Sequence, residues 1–223
     1  MKKIIHIALS GSNGKMGLSL QKLIKKSTHL KLTAKAHKKS CFNYWKPEKI
    51  DGVIDFSAPS FCSISLAWAV QHKKAFVGGT TGLNLKQKQE LKKASKKIPV
   101  FYSENMSVGV YLFTQWMQAI SSADFQFLLE DYHHKDKKDK PSGTAIRLKN
   151  HLAPALQKKI KVKSYRKGKE FGTHRVTLKN KEEILTLEHK ALNREVFSKG
   201  ALKAMEFLIK KRKGFYDVKE LYS

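Results

Sequence analysis

Cysteine is scarce in this chain. The two cysteines, Cys41 and Cys62, make neither a metal-ligand spacing nor a disulfide framework, and they fit a reducing, cytoplasmic compartment. Long apolar runs are missing too, and nothing approaches the roughly eighteen residues of a membrane span. The opening residues, Met1 to Ile7, begin like an export signal, but the stretch Ser10 to Gly14 ends the apolar run too soon. Acidic residues are few, with 18 Asp and Glu against 45 Lys and Arg, for a formal net charge of +27. Such a charge attracts nucleic acid, anionic lipid or a small acid. The lysines, however, are spread over helices and turns (Lys22, Lys25 and Lys26; Lys86, Lys88, Lys92 and Lys93), the pattern of solvated helix faces. Zinc-finger spacing, an aromatic RNA-binding motif and a basic-zipper heptad are all lacking. No nucleic-acid, membrane or metal partner is expected.

What is present is globular. A hydrophobic fraction of 41% and an aromatic fraction of 10% argue against disorder, and 223 residues suffice for one large domain or two small ones. The first half alternates strand and helix. Short apolar runs at Ile4–Leu9, Leu30–Ala36, Gly52–Phe56, Ala75–Val77 and Pro99–Tyr102 are separated by helical patterns. In those helices Met16, Leu20, Leu23 and Ile24 share one face, and Leu85, Leu91 and Ala94 are expected to face inward. This alternation predicts a Rossmann-like, doubly wound parallel sheet. The second half changes rhythm: a helix from Val108 to Ser121, a strand Phe125–Leu129, a helix from Ser142 to Leu156, then strands at Ile160–Tyr165, Thr173–Leu178 and Glu183–Ala191. A final helix spans Arg194 to Lys211. The fold class expected is α/β, with a second, smaller α+β domain. Neither an internal repeat nor a long flexible linker is present.

Three turns carry candidate chemistry. The stretch Gly11-Ser12-Asn13-Gly14-Lys15-Met16-Gly17 lies between the first strand and the first helix. There Gly11 permits a tight turn, Gly14 lets backbone approach a pyrophosphate, and Gly17 allows close packing of helix on strand. The helix start then offers N–H groups to phosphate. An ordinary strand-to-helix turn would use glycines similarly. Dinucleotide folds that take NADH place a carboxylate at the end of the second strand. This chain has Ala36-His37-Lys38-Lys39 there, and these cations suit a 2′-phosphate, favouring NADPH over NADH. The turn Gly78-Gly79-Thr80-Thr81-Gly82 follows the fourth strand, where small hydroxyl residues leave room for the nicotinamide ribose.

The fourth stretch is Glu130 to Ile146, containing "HHKDKKDKPSGTA". Pro141 leads into a helix capped by Ser142, whose start exposes the N–H groups of Gly143 and Thr144 to an anion. Ser142 and Thr144 add hydroxyl donors. His133 and His134 exchange protons near neutrality, and Lys137 donates a proton or holds a carboxylate. The set fits a small acidic substrate better than a phosphate backbone, although a solvated loop has the same composition.

His133 to Ala145, read as H-H-x-x-K-x-D-x-P-S-G-T-A, resembles the signature of the dihydrodipicolinate reductase family. Gly11–Gly17, Asp55-Phe56-Ser57, Gly79-Thr80-Thr81-Gly82 and Asn105-Met106-Ser107-Val108-Gly109-Val110 are similar to further motifs of that family. So are Arg166, Gly168, Gly172 and His174, then His189-Lys190-Ala191 with Arg194, Phe197, Gly200 and Ala201, and the closing Gly214 to Val218. The resemblance implies reduction by NADPH or NADH of a cyclic, dicarboxylated imine in the diaminopimelate branch of lysine synthesis. It implies His133 as general acid/base and Lys137 as proton donor. His134, Ser142, Gly143 and Thr144 hold the substrate, while Gly11–Gly17, His37, Lys38, Gly79, Thr80, Thr81, Ser103, Glu104, Asn105 and Met106 line the cofactor. It also implies a dinucleotide domain of residues 1–104 and 195–223 and a substrate domain of residues 105–194. Hinges near Asn105 and Arg194, closure over the ligands and a homotetramer built through the second domain's sheet complete the expectation.

The chain departs from the family's pattern in places. Residues 39–51 and 156–166 are compressed, and a G-T-I-G element is missing from the latter. Lys169 stands where aspartate is usual, Met106 where an aromatic is, and Ser103-Glu104 where small residues are. These departures bear on affinity and assembly. Two rival readings are an aspartate or semialdehyde dehydrogenase, which needs a different acid/base set or a nucleophilic cysteine, and a basic nucleic-acid-binding protein.

Overall fold

The computed structural model describes residues 3–37, 42–118, 125–156, 160–168 and 170–223. Lys38, Cys41 and Lys169 lie outside the described residues. The chain forms two compact units, one of residues Met1–Met106 and Glu195–Ser223, the other of Ser107–Arg194.

The first unit holds six strands: β1 (Ile5–Ser10), β2 (Leu30–Ala36), β3 (Gly52–Asp55), β4 (Ala75–Gly78), β5 (Pro99–Tyr102) and β10 (Gly214–Tyr216). They form one sheet in the order β10-β5-β4-β3-β1-β2, all neighbours parallel. The central strands β3 and β4 are buried at every residue, as a sheet covered on both faces requires. Helices α2 (Pro59–Gln71) and α3 (Leu85–Ala94) pack with Phe42, Trp45, Trp68 and Phe76 on one face. Helices α1 (Lys15–Lys25) and α6 (Glu195–Leu208) pack against each other, and α6 also lies on β3, β4 and β5. Most apolar positions read from periodicity are inside, but Leu85 is 81% exposed. It is the first residue of α3, inside the Asn84–Gln87 capping box, and so precedes Leu91 and Ala94, which meet the core.

Register decides what the sheet presents. Ala36 pairs with Ser10, Ser10 with Asp55, Asp55 with Gly78, and Gly78 with Tyr102. The strands therefore end in one row, and the segments after them leave the sheet side by side at its carboxyl edge. Between β1 and β3 the strand order reverses, the place where open α/β sheets bind ligands.

The second unit carries β6 (Gln126–His133), β7 (Lys161–Arg166), β8 (Thr173–Lys179) and β9 (Ile184–Lys190) in the order β7-β6-β8-β9. The β6–β7 pair is parallel and the others antiparallel. One face is covered by α4 (Val108–Gln118) and α5 (Gly143–Leu156), enclosing Phe113, Leu129, Leu148, Leu152 and Val176. The α/β expectation with a second α+β domain matches this architecture. Two differences matter. Strand β6 continues to His133, four residues past the predicted end at Leu129, because Glu130, Asp131 and Tyr132 pair on both sides with β7 and β8. The closing residues form β10 and the helix α7 (Val218–Tyr222), which periodicity did not predict. The Asp217–Glu220 capping box was the available signal for α7.

Candidate active site

In the first unit the glycine turn is built as its spacing predicts. Gly11 has φ +79°, and a Cβ on it would lie 2.1 Å from the Phe56 carbonyl oxygen. A Cβ on Gly17 would lie 2.3 Å from the Gly11 carbonyl oxygen, so helix and turn are in direct contact. The N–H groups of Gly11 and Ser12 both donate to the Ala36 carbonyl, which brings His37 beside the turn. Gly14 is the N-cap of α1, so the capping residue itself has no side chain to bond that helix start. This geometry fits a dinucleotide's pyrophosphate.

The neighbouring segments are tied together by Asp55, a fully buried carboxylate at the end of β3. It accepts hydrogen bonds from Thr80 Oγ1 at 2.5 Å, Ser65 Oγ at 2.7 Å and Ser57 Oγ at 2.9 Å. Thr80 Oγ1 in turn accepts from the Ser57 N–H at 2.8 Å, and the Tyr102 hydroxyl donates to the Thr80 carbonyl. Gly79 passes so close to Phe56 that a Cβ there would sit 2.2 Å from its ring. Thr81 is exposed. After β5, Ser103 Oγ donates to the Asn105 carbonyl at 2.6 Å, and Glu104 pairs with Lys88 at 3.3 Å. Met106 is buried, its carbonyl accepting from the Tyr222 hydroxyl. Sequence reasoning quoted Asp55 within a motif and assigned it no role. A carboxylate closing a buried strand beside hydroxyl-rich turns was the signal.

The second unit gathers a buried polar cluster around the end of β6. Side chains alternate along a strand, so Leu129, Asp131 and His133 share the inward face. Pairing then places Arg166 opposite His133, His174 opposite Asp131, and His189 opposite His174. Asp131 is fully buried. Its Oδ2 accepts from the Ser142 N–H at 2.9 Å and from Arg166 Nη2 at 3.1 Å. Its Oδ1 accepts from Ser142 Oγ at 2.7 Å and lies 2.9 Å from His133 Nδ1 and 3.6 Å from His174 Nε2. The approach to His133 Nδ1 is oblique and makes no aligned hydrogen bond. Burial alone would raise the Asp131 pKa, but its contact with His133 and its two bonds from Ser142 outweigh this and hold it well below the usual carboxylate range. Burial pushes His174 down to about 3, against the attraction of Asp131, with His133, His189 and Lys137 opposing its charge as well. His174 is therefore neutral at physiological pH.

Ser142 caps α5 by accepting from the Ala145 N–H at 3.1 Å, while its own donors go to Asp131. The helix start at Gly143 and Thr144 is thus fixed against β6. His133 Nε2 lies over Gly172, where an added Cβ would come within 3.1 Å of it. Lys137 Nζ pairs with Asp139 at 2.8 Å, and Arg166 also donates to the Asp139 carbonyl. His134 donates its N–H to the Glu170 carbonyl. The structure thus brings His133, Ser142, Arg166 and His174 around one carboxylate. Asp131 was not singled out from sequence, although an acid two residues before His133 on an inward strand face marks it. Among the described residues, Asp131, His133 and His174 are also the group whose ligand atoms lie close enough, within 4.8 Å, to hold a metal ion. Cys62, the described cysteine, is buried in α2 with its thiol pushed far up by burial and by Asp55, which makes it unsuited to be a nucleophile.

The comparison with known proteins decides the family. The description "Dihydrodipicolinate reductase, N-terminus" matches residues 5–106 and "Dihydrodipicolinate reductase, C-terminus" matches residues 109–222. The chain belongs to the dihydrodipicolinate reductase family. It is 40% identical over 223 residues to the 4-hydroxy-tetrahydrodipicolinate reductase of Bdellovibrio bacteriovorus, covering 99% of this chain and 97% of that one. It is 35% identical to the Campylobacter lari enzyme of the same name, covering 96% of this chain and 98% of that one. The fold is shared with a solved structure, the dipicolinate-bound dihydrodipicolinate reductase from Paenisporosarcina sp. TG-14. There the TM-score is 0.78 at 20% identity, with 96% of this chain and 97% of that chain covered. Aspartate dehydrogenase from Thermotoga maritima shares the fold more distantly, with a TM-score of 0.56 at 11% identity, covering 93% of this chain and 97% of that chain. As a member of this family the chain is a reductase that binds a nicotinamide dinucleotide. Among the described residues, no helix is long and apolar enough to cross a membrane.

Proposed function

We propose that this dihydrodipicolinate reductase reduces 4-hydroxy-tetrahydrodipicolinate, giving tetrahydrodipicolinate for diaminopimelate and lysine synthesis, with NADPH preferred over NADH. The observation that carries the reading is the buried cluster at the end of β6, where one ionised carboxylate, Asp131, contacts both His133 and Ser142 at the capped start of α5. The 4-hydroxyl leaves as water to give the conjugated imine, and the nicotinamide, when bound, would supply hydride to it. The chain's own residues do the rest. The glycine turn Gly11–Gly17 receives the pyrophosphate, and Gly79, Thr80, Thr81 and the segment Ser103–Met106 border the nicotinamide end. The N–H groups of Gly143 and Thr144, with His134, take substrate carboxylates, and Ser142 serves them by fixing the helix start. Electron density left by hydride addition is quenched by a proton, which Lys137 delivers while His133 acts as general acid/base. The lysine's ammonium pairs with Asp139 at 2.8 Å, in the loop that leads to the helix start. A homotetramer in the cytoplasm completes the proposal.

The test is absorbance-monitored NADPH oxidation with freshly generated synthase product, run beside NADH. His133→Ala and Lys137→Ala should each lower kcat by about 10²-fold or more, with NADPH affinity unchanged within about twofold. Turnover at the parent rate in both variants would reassign the proton donors. His37 and Lys38 carry the cofactor preference in this proposal, since no carboxylate follows β2. Lys38→Ala should therefore narrow the NADPH-to-NADH ratio of kcat/KM by about tenfold, the effect of losing one phosphate contact of roughly 1.4 kcal/mol. An unaltered ratio assigns the preference elsewhere.

A further inference from the structure

We infer that Asp131 is a positioning residue that holds His133 in the tautomer with its proton on Nδ1, so that one carboxylate links the proton-exchanging imidazole to the helix start that receives the substrate. This rests on the reading of His133 as general acid/base.

The inference follows from how the two oxygens of Asp131 are used. Oδ2 is taken by the Ser142 N–H and the Arg166 guanidinium, and Oδ1 by the Ser142 hydroxyl. These donors anchor the carboxylate from β7 and from the start of α5, so its position does not depend on His133. Oδ1 nevertheless lies 2.9 Å from His133 Nδ1. A lone pair on Nδ1 would face an anionic oxygen at that distance and be repelled, whereas an N–H would be attracted. The oblique approach leaves this preference intact, because it comes from charge rather than from hydrogen-bond alignment. With the proton on Nδ1, the basic nitrogen is Nε2. That atom stands over Gly172, where an added Cβ would lie 3.1 Å from it.

The neighbours agree with this assignment. His174, also beside Oδ1, is buried and neutral, so it adds no competing cation. Arg166 already supplies the charge that compensates the buried carboxylate. A metal ion on Asp131, His133 and His174 would have to enter beside that guanidinium, whose charge already compensates the carboxylate. The geometry therefore favours a carboxylate–imidazole pair over a metal centre.

The test is made on the full-length enzyme. Uniformly 15N-histidine-labelled protein, with the His133 signals identified by their loss in His133→Ala, should show the parent imidazole protonated on Nδ1 and bare on Nε2 when neutral. In Asp131→Asn the amide must still accept from Ser142, which turns its NH2 group toward His133. The ring should then move to the Nε2–H tautomer, with kcat falling about 10²-fold while NADPH affinity stays within about twofold and the substrate KM changes less than kcat. An Nε2–H tautomer in the parent enzyme overturns the inference without any variant. Parent-like turnover in Asp131→Asn, with His133→Ala inactive, overturns it too and leaves the acid/base reading standing. Parent-like turnover in His133→Ala removes that underlying reading itself. If Asp131→Asn does not fold, the parent spectrum alone decides.

Discussion

Single residues in the first unit hold the segments at the sheet's carboxyl edge in place through one buried acid. Asp55 accepts from hydroxyl and amide donors around it, and Thr80 contributes the shortest of these contacts. Thr80 is itself buried and passes the connection on by accepting from the Ser57 N–H. Replacing it with valine keeps the shape and removes both bonds, leaving the Ser57 N–H with only its longer bond to Asp55 Oδ1 at 3.3 Å and Asp55 short of one donor. Thr80→Val should therefore cost about 1–3 kcal/mol in urea unfolding and weaken NADPH binding several-fold in a fluorescence titration. Equal stability and affinity would show that Asp55 does not depend on Thr80. In the sequence, Thr80 was visible as part of a glycine-bounded turn. Its partner Asp55 lies 25 residues earlier, and nothing in local spacing links the two.

At the scale of elements, β6 and α5 act as one piece. The strand carries Asp131 and His133, the helix begins at Gly143, and Ser142 joins them by capping one and donating to the other. Ser142→Ala removes the cap and one donor to the carboxylate together. It should lower the unfolding free energy by about 1–3 kcal/mol and raise the substrate KM more than the NADPH dissociation constant. A cap-sized stability loss with unchanged KM would separate the helix start from substrate binding. The helix start was legible, because Pro141-Ser142-Gly143-Thr144 is a capping pattern. The end of β6 was not. Glu130 to His133 is polar enough to suggest a loop, and it becomes strand because β7 and β8 pair with it on both sides.

For the whole molecule, the buried histidines make folding depend on pH. His174 has a folded pKa of about 3, well below its ordinary value of 6.5, and burial lowers His189 as well. The unfolded chain therefore binds more protons than the folded one as pH falls below about 6.5, and stability rises with pH in that window. The contribution from Asp131 has the same sense but lies at lower pH, since its folded pKa is depressed below 3.8. Acidification from about pH 7 to about pH 5 should cost about 2 kcal/mol through His174, read as a fall in the urea midpoint. His174→Asn should flatten that dependence, with a residual slope from His189. A parent slope retained in the variant would place the titrating group elsewhere. The large positive charge is spread over the surface. It sits mainly on solvated lysines and acts on solubility and anion attraction.

The sequence alone determined whatever depends on neighbours along the chain. Strand–helix alternation, the glycine turn at Gly11–Gly17, the capped start at Ser142 and the motif from His133 to Ala145 all rest on local backbone preference and side-chain period. The full-length family resemblance rests on those same motifs. Tertiary structure decided which distant groups meet. Arg166 reaches Asp131 because β7 runs parallel to β6, and His174 because β8 runs antiparallel to it. Strand register is set by how two apolar faces fill a common core, and spacing within one segment carries no record of it.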